Sequence, residues 1–337
     1  MSKKPNLKNV SILIADPDTY IARAMTYNLR AMGFTSISHV KNSADAVRAI
    51  SINPTSFLIT EWDMKGSNGL DLVRFMRRSP NSPNRALPII MFTGRSEMSD
   101  VKMARDAGIT EFAMKPFSAQ DMYKRIEQVI DHPRSFVMAN GYVGPERRRH
   151  GLPPPGMEDR RILKPIAAPS TRDALREPPG KQPVIFAPDL SIRQSIGITV
   201  PLSTFITPDI LKEAQKAIDA LGDESQSWIR EDIAQMQEAY GAMKKVYTTH
   251  AHDSLQEAVL SIKARAGTFG YRLASDVARL CFVFLSTHFS PTILSHLIVI
   301  QKHIEVLTVI FAKDIKEREG MGAELYTELE RLMNVNK

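Results

Sequence analysis

Two apolar patterns alternate along residues 10–130. Short, nearly continuous apolar runs at 10–15, 36–40, 57–60, 87–92 and 111–114 have the length and composition of buried strands. Between them, apolar residues recur at three- and four-residue steps. Ile21, Ala24, Met25, Leu29 and Met32 share one helical face, and Gly33 stops it. Ser43 is expected to cap a second helix carrying Ala46, Val47 and Ile50. Further helices are expected at 70–76, from about residue 99, and at 118–130. Strands apolar on both faces, each followed by a helix, predict a parallel sheet covered on both sides, a doubly wound α/β fold of five βα units.

The pattern breaks near His132. Gly144-Pro145, Pro153-Pro154-Pro155-Gly156 and Pro178-Pro179-Gly180 punctuate a stretch with scattered arginine and little periodicity. Residues 133–206 are therefore expected to form a Pro/Arg-rich tether, with short apolar islands at 184–186 and 196–200 that could dock on a neighbouring groove. From Pro208 the three- and four-residue period returns, with stripes such as Ile210, Leu211, Ala214, Ala217, Ile218 and Leu221. Successive stripes to Met333 predict a C-terminal all-α bundle over residues 207–335.

Composition narrows the possibilities. The single cysteine, Cys281, lies in an apolar run and is expected to be a buried, inert thiol. The apolar stretch 280–300 is interrupted by His288, Ser290, Pro291 and His296 and falls short of the ~20 apolar residues of a membrane span, so a cytoplasmic protein with no membrane partner is expected. The net charge is +7, and part of the visible excess is the Arg147-Arg148-Arg149 and Arg160-Arg161 runs of the tether. A solvated basic linker accounts for these without a nucleic-acid site, so nucleic acid is not an expected partner. No Gly-rich phosphate loop follows the first strand, which argues against a dinucleotide enzyme.

Candidate chemistry gathers around residues 57–70, Phe-Leu-Ile-Thr-Glu-Trp-Asp-Met-Lys-Gly-Ser-Asn-Gly-Leu, where Glu61 stands at the carboxyl end of a strand. Reactive groups of open α/β sheets collect beyond those strand ends. Together with Ile12-Leu13-Ile14-Ala15-Asp16, Met91-Phe92-Thr93-Gly94 and Phe112-Ala113-Met114-Lys115-Pro116-Phe117, the stretch resembles the receiver domains of two-component response regulators, over residues 8–132. The resemblance implies a flavodoxin-like (βα)5 fold and makes Glu61 the acceptor position, Asp16 the acidic residue after the first strand, Thr93 the switch hydroxyl, Lys115 the conserved cation before a cis-proline, and Phe112 the aromatic switch.

Two departures alter the expected chemistry. The family's acceptor is Asp, and Glu61 carries its carboxylate one bond further out. The family's Mg²⁺ is held by an acidic pair, whereas Pro17 follows Asp16 here and Asp18 falls one position late. No metal and no cofactor are therefore expected, and no enzymatic activity. In the helical half, residues 260–271 resemble the signature of histidine-phosphotransfer domains: Lys263, Gly267, Phe269 and Gly270 match, but Leu260 stands at the His position and Ala264 at the first Gly position. Leucine has no nucleophilic nitrogen. Leu260, Lys263, Ala264 and Gly267 are expected to serve as a docking face instead. The combined expectation is a bacterial, non-catalytic phosphorelay adaptor: a pseudo-receiver tethered to a pseudo-phosphotransfer bundle. Its partners would be a histidine kinase, a phosphotransfer protein or a receiver, with self-association possible. A phosphorylatable response regulator and a nucleic-acid-binding regulator are the alternatives.

Overall fold

A computed structural model describes residues 5–64, 67–95, 97–139, 141–147, 184–223 and 226–336. The chain divides into two compact units, residues 1–114 with 119–215, and residues 115–118 with 216–337. In order, the α/β part runs β1 (Ser11–Ala15), α1 (Thr19–Ala31), β2 (Ser36–Val40), α2 (Ser43–Ile52), β3 (Phe57–Thr60) and a small hairpin, β4 (Asp63–Met64) with β5 (Ser67–Asn68). It continues through α3 (Gly69–Arg78), β6 (Ile89–Thr93), α4 (Met98–Ala107), β7 (Glu111–Met114) and α5 (Ala119–Ile130).

The main sheet has five strands in the order β2-β1-β3-β6-β7, and every pairing is parallel. Burial explains that order. β3 and β6 are buried at every position, while the edge strand β2 has an exposed or half-buried residue throughout. Each fully buried aliphatic side chain contributes roughly 1.5–3 kcal/mol, so the all-apolar runs go to the centre. The order reverses beside β1, and the crevice at the carboxyl ends of β1 and β3 is where such sheets place their ligands. The doubly wound α/β fold and the C-terminal helices are thus as expected.

Helix ends add detail that the periodicity did not supply. Asn42, not Ser43, is the cap of α2, its side chain accepting the Asp45 N–H at 2.9 Å. Asn68 caps α3 in the same way through the Leu70 N–H. Gly108 ends α4 in the left-handed region at φ 103°, and a Cβ there would lie 2.7 Å from the Val143 carbonyl. Both constraints demand glycine.

The expectation of a tether over 133–206 needs correction. β8 (Phe136–Ala139), β9 (Tyr142–Pro145) and β10 (Val184–Phe186) form a second, antiparallel sheet in the order β10-β8-β9. Its alternating inner face (Phe136, Met138, Val143 and Phe186) makes a small core of its own. Arg77 of α3 anchors it: fully buried, it donates from Nε to the Gly108 carbonyl and from Nη1 to the Arg85 carbonyl, both at 2.8 Å, and lies over the Phe136 ring at 5.5 Å. Burial lowers the guanidinium pKa to about 9, which leaves it charged at neutral pH. Beyond the sheet, α6 (Ser191–Ile196) leads into a segment whose Ile198, Leu202 and Ile206 are buried. Asp131 holds that segment, accepting the Leu202 N–H at 2.6 Å and pairing with Arg193. Both apolar islands are therefore docked. The Pro-rich stretch 148–183 lies outside the described residues.

The helical part comprises α7 (Pro208–Asp223), α8 (Gln226–Lys245), α9 (Thr249–Thr268), α10 (Arg272–Thr287), α11 (Leu294–Ala312) and α12 (Met321–Val335). α8 packs on α9 and α11, α10 packs on α9 and α11, and α12 packs on α10 and α11. Trp228 of α8 sits in an aromatic cluster with Phe269, Tyr271 and Phe311, at centroid separations of 5.4–6.3 Å. Cys281 is free and fully buried, and burial pushes its thiol pKa up, as expected of an inert core cysteine. α11 is the one described helix long and apolar enough to cross a membrane by length and composition. The core helices of water-soluble bundles pass the same test, and 39% of its most apolar window is buried.

Candidate functional site

The crevice at the carboxyl ends of β1, β3 and β6 collects the residues that the sequence singled out. Asp16, one residue beyond β1, is 1% exposed; its Oδ1 accepts the Asp18 N–H at 2.8 Å, and His39 Nε2 donates to its carbonyl at 2.8 Å. Asp18 does not join it. The Asp18 carboxylate caps α1, accepting from the Tyr20 and Ile21 N–H groups at 2.9 and 3.1 Å. Its position one residue late in sequence thus becomes a helix cap in space.

Glu61 is buried at 8% exposure immediately after β3. Its carboxylate turns back on its own loop: Oε1 accepts the Trp62 N–H at 2.6 Å and lies 3.4 Å from the Asp63 nitrogen. These amide donors lie at the end of a parallel strand, and an anion placed there would use them. In this chain a side chain of the same loop fills that role.

The loop is closed from below by Gly69. Its N–H donates to the Trp62 carbonyl at 2.6 Å, and a Cβ added to it would lie 1.8 Å from the Glu61 carbonyl oxygen. Backbone meets backbone here, so no rotamer can relieve the contact. Gly69→Ala is expected to destabilise the α/β unit by about 2 kcal/mol, read as a lower urea midpoint in a fluorescence titration following Trp62. An unchanged midpoint would show that the loop yields freely.

Thr93 ends β6 fully buried, its Oγ1 accepting the Arg95 N–H at 3.2 Å. Arg95 was not singled out by the sequence, yet it dominates the rim. Its guanidinium makes a two-pronged bond to Asp63, Nε to Oδ2 at 2.8 Å and Nη2 to Oδ1 at 2.9 Å, and lies 5.4 Å from the Trp62 ring centroid. The bond to Asp63 raises the Arg95 pKa. Across the rim, desolvation raises the Asp100 carboxyl. The signal for Arg95 was an arginine two residues past the switch hydroxyl facing an aspartate two residues past Glu61. Only the sheet brings those loops together.

Lys115 follows β7 and is 3% exposed, and its bond to Pro116 is cis, as the resemblance implied. β7 pairs with β6 so that Met114 lies opposite Thr93, which puts Lys115 at the same end of the sheet as the crevice. Phe112 is half-buried and packs against the core cluster containing Met91 and Ala104. Among the described residues, no group of three or more His, Cys, Asp or Glu side chains could hold a metal ion.

In the helical unit, the expected docking face is less open than the sequence implied. Lys263 and Ala264 are each 7% exposed, while Leu260 and Gly267 are half-buried. Burial lowers the Lys263 ammonium pKa, with Arg279 adding to the effect. Arg265 of the same stretch is turned inward to Asp232 at 2.6 Å. The histidines take other roles: His252 lies 3.2 Å from the Leu285 carbonyl and stacks on Phe289, and His303 is fully buried against the Val299 carbonyl.

Comparison with known proteins agrees with the geometry of the first unit. The family model described as "Response regulator receiver domain" matches residues 12–127. The chain is 30% identical over 122 residues to the chemotaxis protein CheY of Pseudomonas aeruginosa, a match covering 36% of this chain and 97% of the relative. It is also 30% identical over 122 residues to the chemotaxis protein CheY1 of Helicobacter pylori, with the same two shares covered. Among solved structures, the chemotaxis protein CheY4 of Vibrio cholerae is similar over 36% of this chain and 98% of that one, with 19% identity and a TM-score of 0.34. Through the segment that carries Asp16, Glu61 and Thr93, the chain belongs to the response regulator receiver family.

Proposed function

We propose that the protein is a non-catalytic signalling adaptor of a two-component system, a receiver that does not take up phosphate. The observation that carries this reading is the Glu61 carboxylate, which is buried and bonded to the amide of Trp62 beside that of Asp63. The longer side chain brings its own negative charge to donors that a transferred phosphoryl group would need. A single carboxylate imitates an acyl phosphate only in part, because the phosphate carries more charge and more acceptor oxygens.

The residues present do not fit the family's Mg²⁺. Hard cations need several oxygen ligands around one point. Pro17 contributes no carboxylate, Asp18 is committed to capping α1, and the Asp63 carboxylate is engaged by Arg95. Without a metal, an incoming phosphodonor meets the carboxylates of Asp16 and Glu61 with no divalent cation to offset its charge. The partners of such an adaptor are a histidine kinase, a phosphotransfer protein, another receiver or a second copy, met in the cytoplasm. The helical unit adds a surface with Leu260 where a phosphotransfer domain would present histidine, a side chain that cannot carry phosphate.

Incubation with acetyl phosphate and Mg²⁺, read by intact mass, tests this. Wild type and Glu61→Asp are both expected to remain unmodified, since Glu61→Asp restores the acceptor without the acidic pair. The double variant Pro17→Asp/Glu61→Asp is expected to gain a labile phosphoryl group. A phosphoryl adduct on the wild-type chain would sink the proposal.

A further inference from the structure

At one end of the helical unit the α8–α9 and α10–α11 connections meet. Tyr247 and Phe289 have ring centroids 6.2 Å apart, His252 stacks on Phe289 at 5.7 Å, and Phe289 lies 6.3 Å from His296. Tyr240 Oη donates to the Leu297 carbonyl at 3.0 Å, and the Lys244 ammonium lies 6.0 Å from the Tyr240 ring. These contacts put the loop after α8 beside the first turn of α11.

The side chains this end presents to solvent include large apolar and basic ones, with the Asp253 carboxylate exposed near the start of α9. Val246 (63% exposed), Tyr247 (45%), Leu294 (70%) and Ile298 (46%) are large and apolar. Lys244 and Lys245, next in sequence to Val246, are exposed cations. Exposed apolar side chains grouped in one place mark an interaction surface, whereas scattered ones need no explanation. Two lysines against one carboxylate leave this end net basic, which favours an occupant that offers negative charge and an apolar interior together. A second copy fits poorly, because a two-fold contact would bring the lysine pairs of the two copies to the same interface at a cost in like-charge repulsion.

We propose that this end of the bundle rests on an anionic phospholipid surface, with Val246 and Leu294 entering the acyl boundary and Lys244 and Lys245 meeting headgroup phosphates. A contact of this kind needs no spanning segment, only a few apolar side chains and basic residues acting together. α11 takes part through its exposed first turns while its His303, Leu307 and Ile310 stay in the protein core.

Flotation of the full chain with vesicles of phosphatidylcholine, alone or mixed with phosphatidylglycerol, tests the proposal. Wild type is expected to float with the mixed vesicles only, and less as salt is raised. Lys244→Glu and Lys245→Glu should each weaken binding about fivefold or more, the factor that corresponds to the ~1 kcal/mol contributed by one lysine near such a surface. The uncharged pair Val246→Ser/Leu294→Ser should also weaken it without altering thermal unfolding. That pair separates this site from attraction by basic runs such as 147–149. Flotation unaffected by Val246→Ser/Leu294→Ser overturns the proposal, and so does failure of wild type to float. A dimer by light scattering that the same pair dissolves, with no flotation of wild type, would assign the surface to a second copy.

Discussion

Arg265→Ala is expected to cost the helical unit about 3–5 kcal/mol, a large share of the stability of a domain of this size. Arg265 donates from Nη1 to Asp232 Oδ1 at 2.6 Å, and the Asp232 side chain has no exposed surface. The pair joins α8 to α9 inside the bundle. Removing the guanidinium takes the nearest cation, at 2.6 Å, away from a carboxylate with no exposed surface. The penalty is the desolvation of a buried carboxylate that has lost its closest cation, which greatly exceeds the net worth of the intact pair. Replacing both residues, as Asp232→Leu/Arg265→Met, is accordingly expected to recover most of the loss. The chain has two tryptophans, Trp62 and Trp228. In a Trp62→Phe background Trp228, four residues before Asp232 on α8, reports unfolding of the bundle alone. A urea midpoint in Arg265→Ala within error of the parent would mean that the carboxylate finds another partner.

The second large effect is a dependence on acid. His303 is fully buried on α11, Nδ1–H donating to the Val299 carbonyl at 2.8 Å, while Nε2 has no hydrogen-bond partner among the described residues. Desolvation lowers its pKa from 6.5 to about 4, opposed by the bond to Val299. The native state therefore keeps the ring neutral between about pH 6.5 and pH 4, while the unfolded chain takes up a proton. Stability is full above the unfolded value and falls as pH drops through that window; below the folded value both states are protonated and the loss is complete. The span corresponds to about 3 kcal/mol. His303→Leu is expected to remove this component, so the stability difference between neutral pH and the bottom of the window should shrink by about that amount. Carboxylates contribute a background common to both proteins, which the comparison subtracts. Equal acid sensitivity in the two would show that His303 is protonated in the native bundle.

Neither residue was visible in this role from the sequence. In sequence His303 stands two residues from Glu305, yet Glu305 bonds Lys302 at 2.7 Å on the exposed face. Arg265 lies in the stretch 260–271 that resembles the phosphotransfer signature, and the helix rotates it inward to Asp232. The second sheet was missed for a related reason. Val184 pairs with Met138 and Phe186 with Phe136 across more than forty residues of Pro- and Arg-rich chain, and isolated strands of three and four residues are too short for a periodicity argument. The main sheet was legible because each strand is a run of apolar residues whose burial needs no partner to be named in advance.

The sequence by itself determined how many βα units there are and which functional groups are absent: no Asp at the acceptor position, no carboxylate at position 17, no imidazole at position 260. Those are properties of composition and local period, and they survive any packing. Tertiary structure decided where the remaining polar groups point. It turned the Glu61 carboxylate onto the Trp62 amide, set Arg95 against Asp63 from a separate loop, and buried Arg265 against Asp232. A side chain's direction depends on which distant segment supplies its hydrogen bonds, and a buried charge has to find a partner wherever the fold places one. No window of sequence contains that partner.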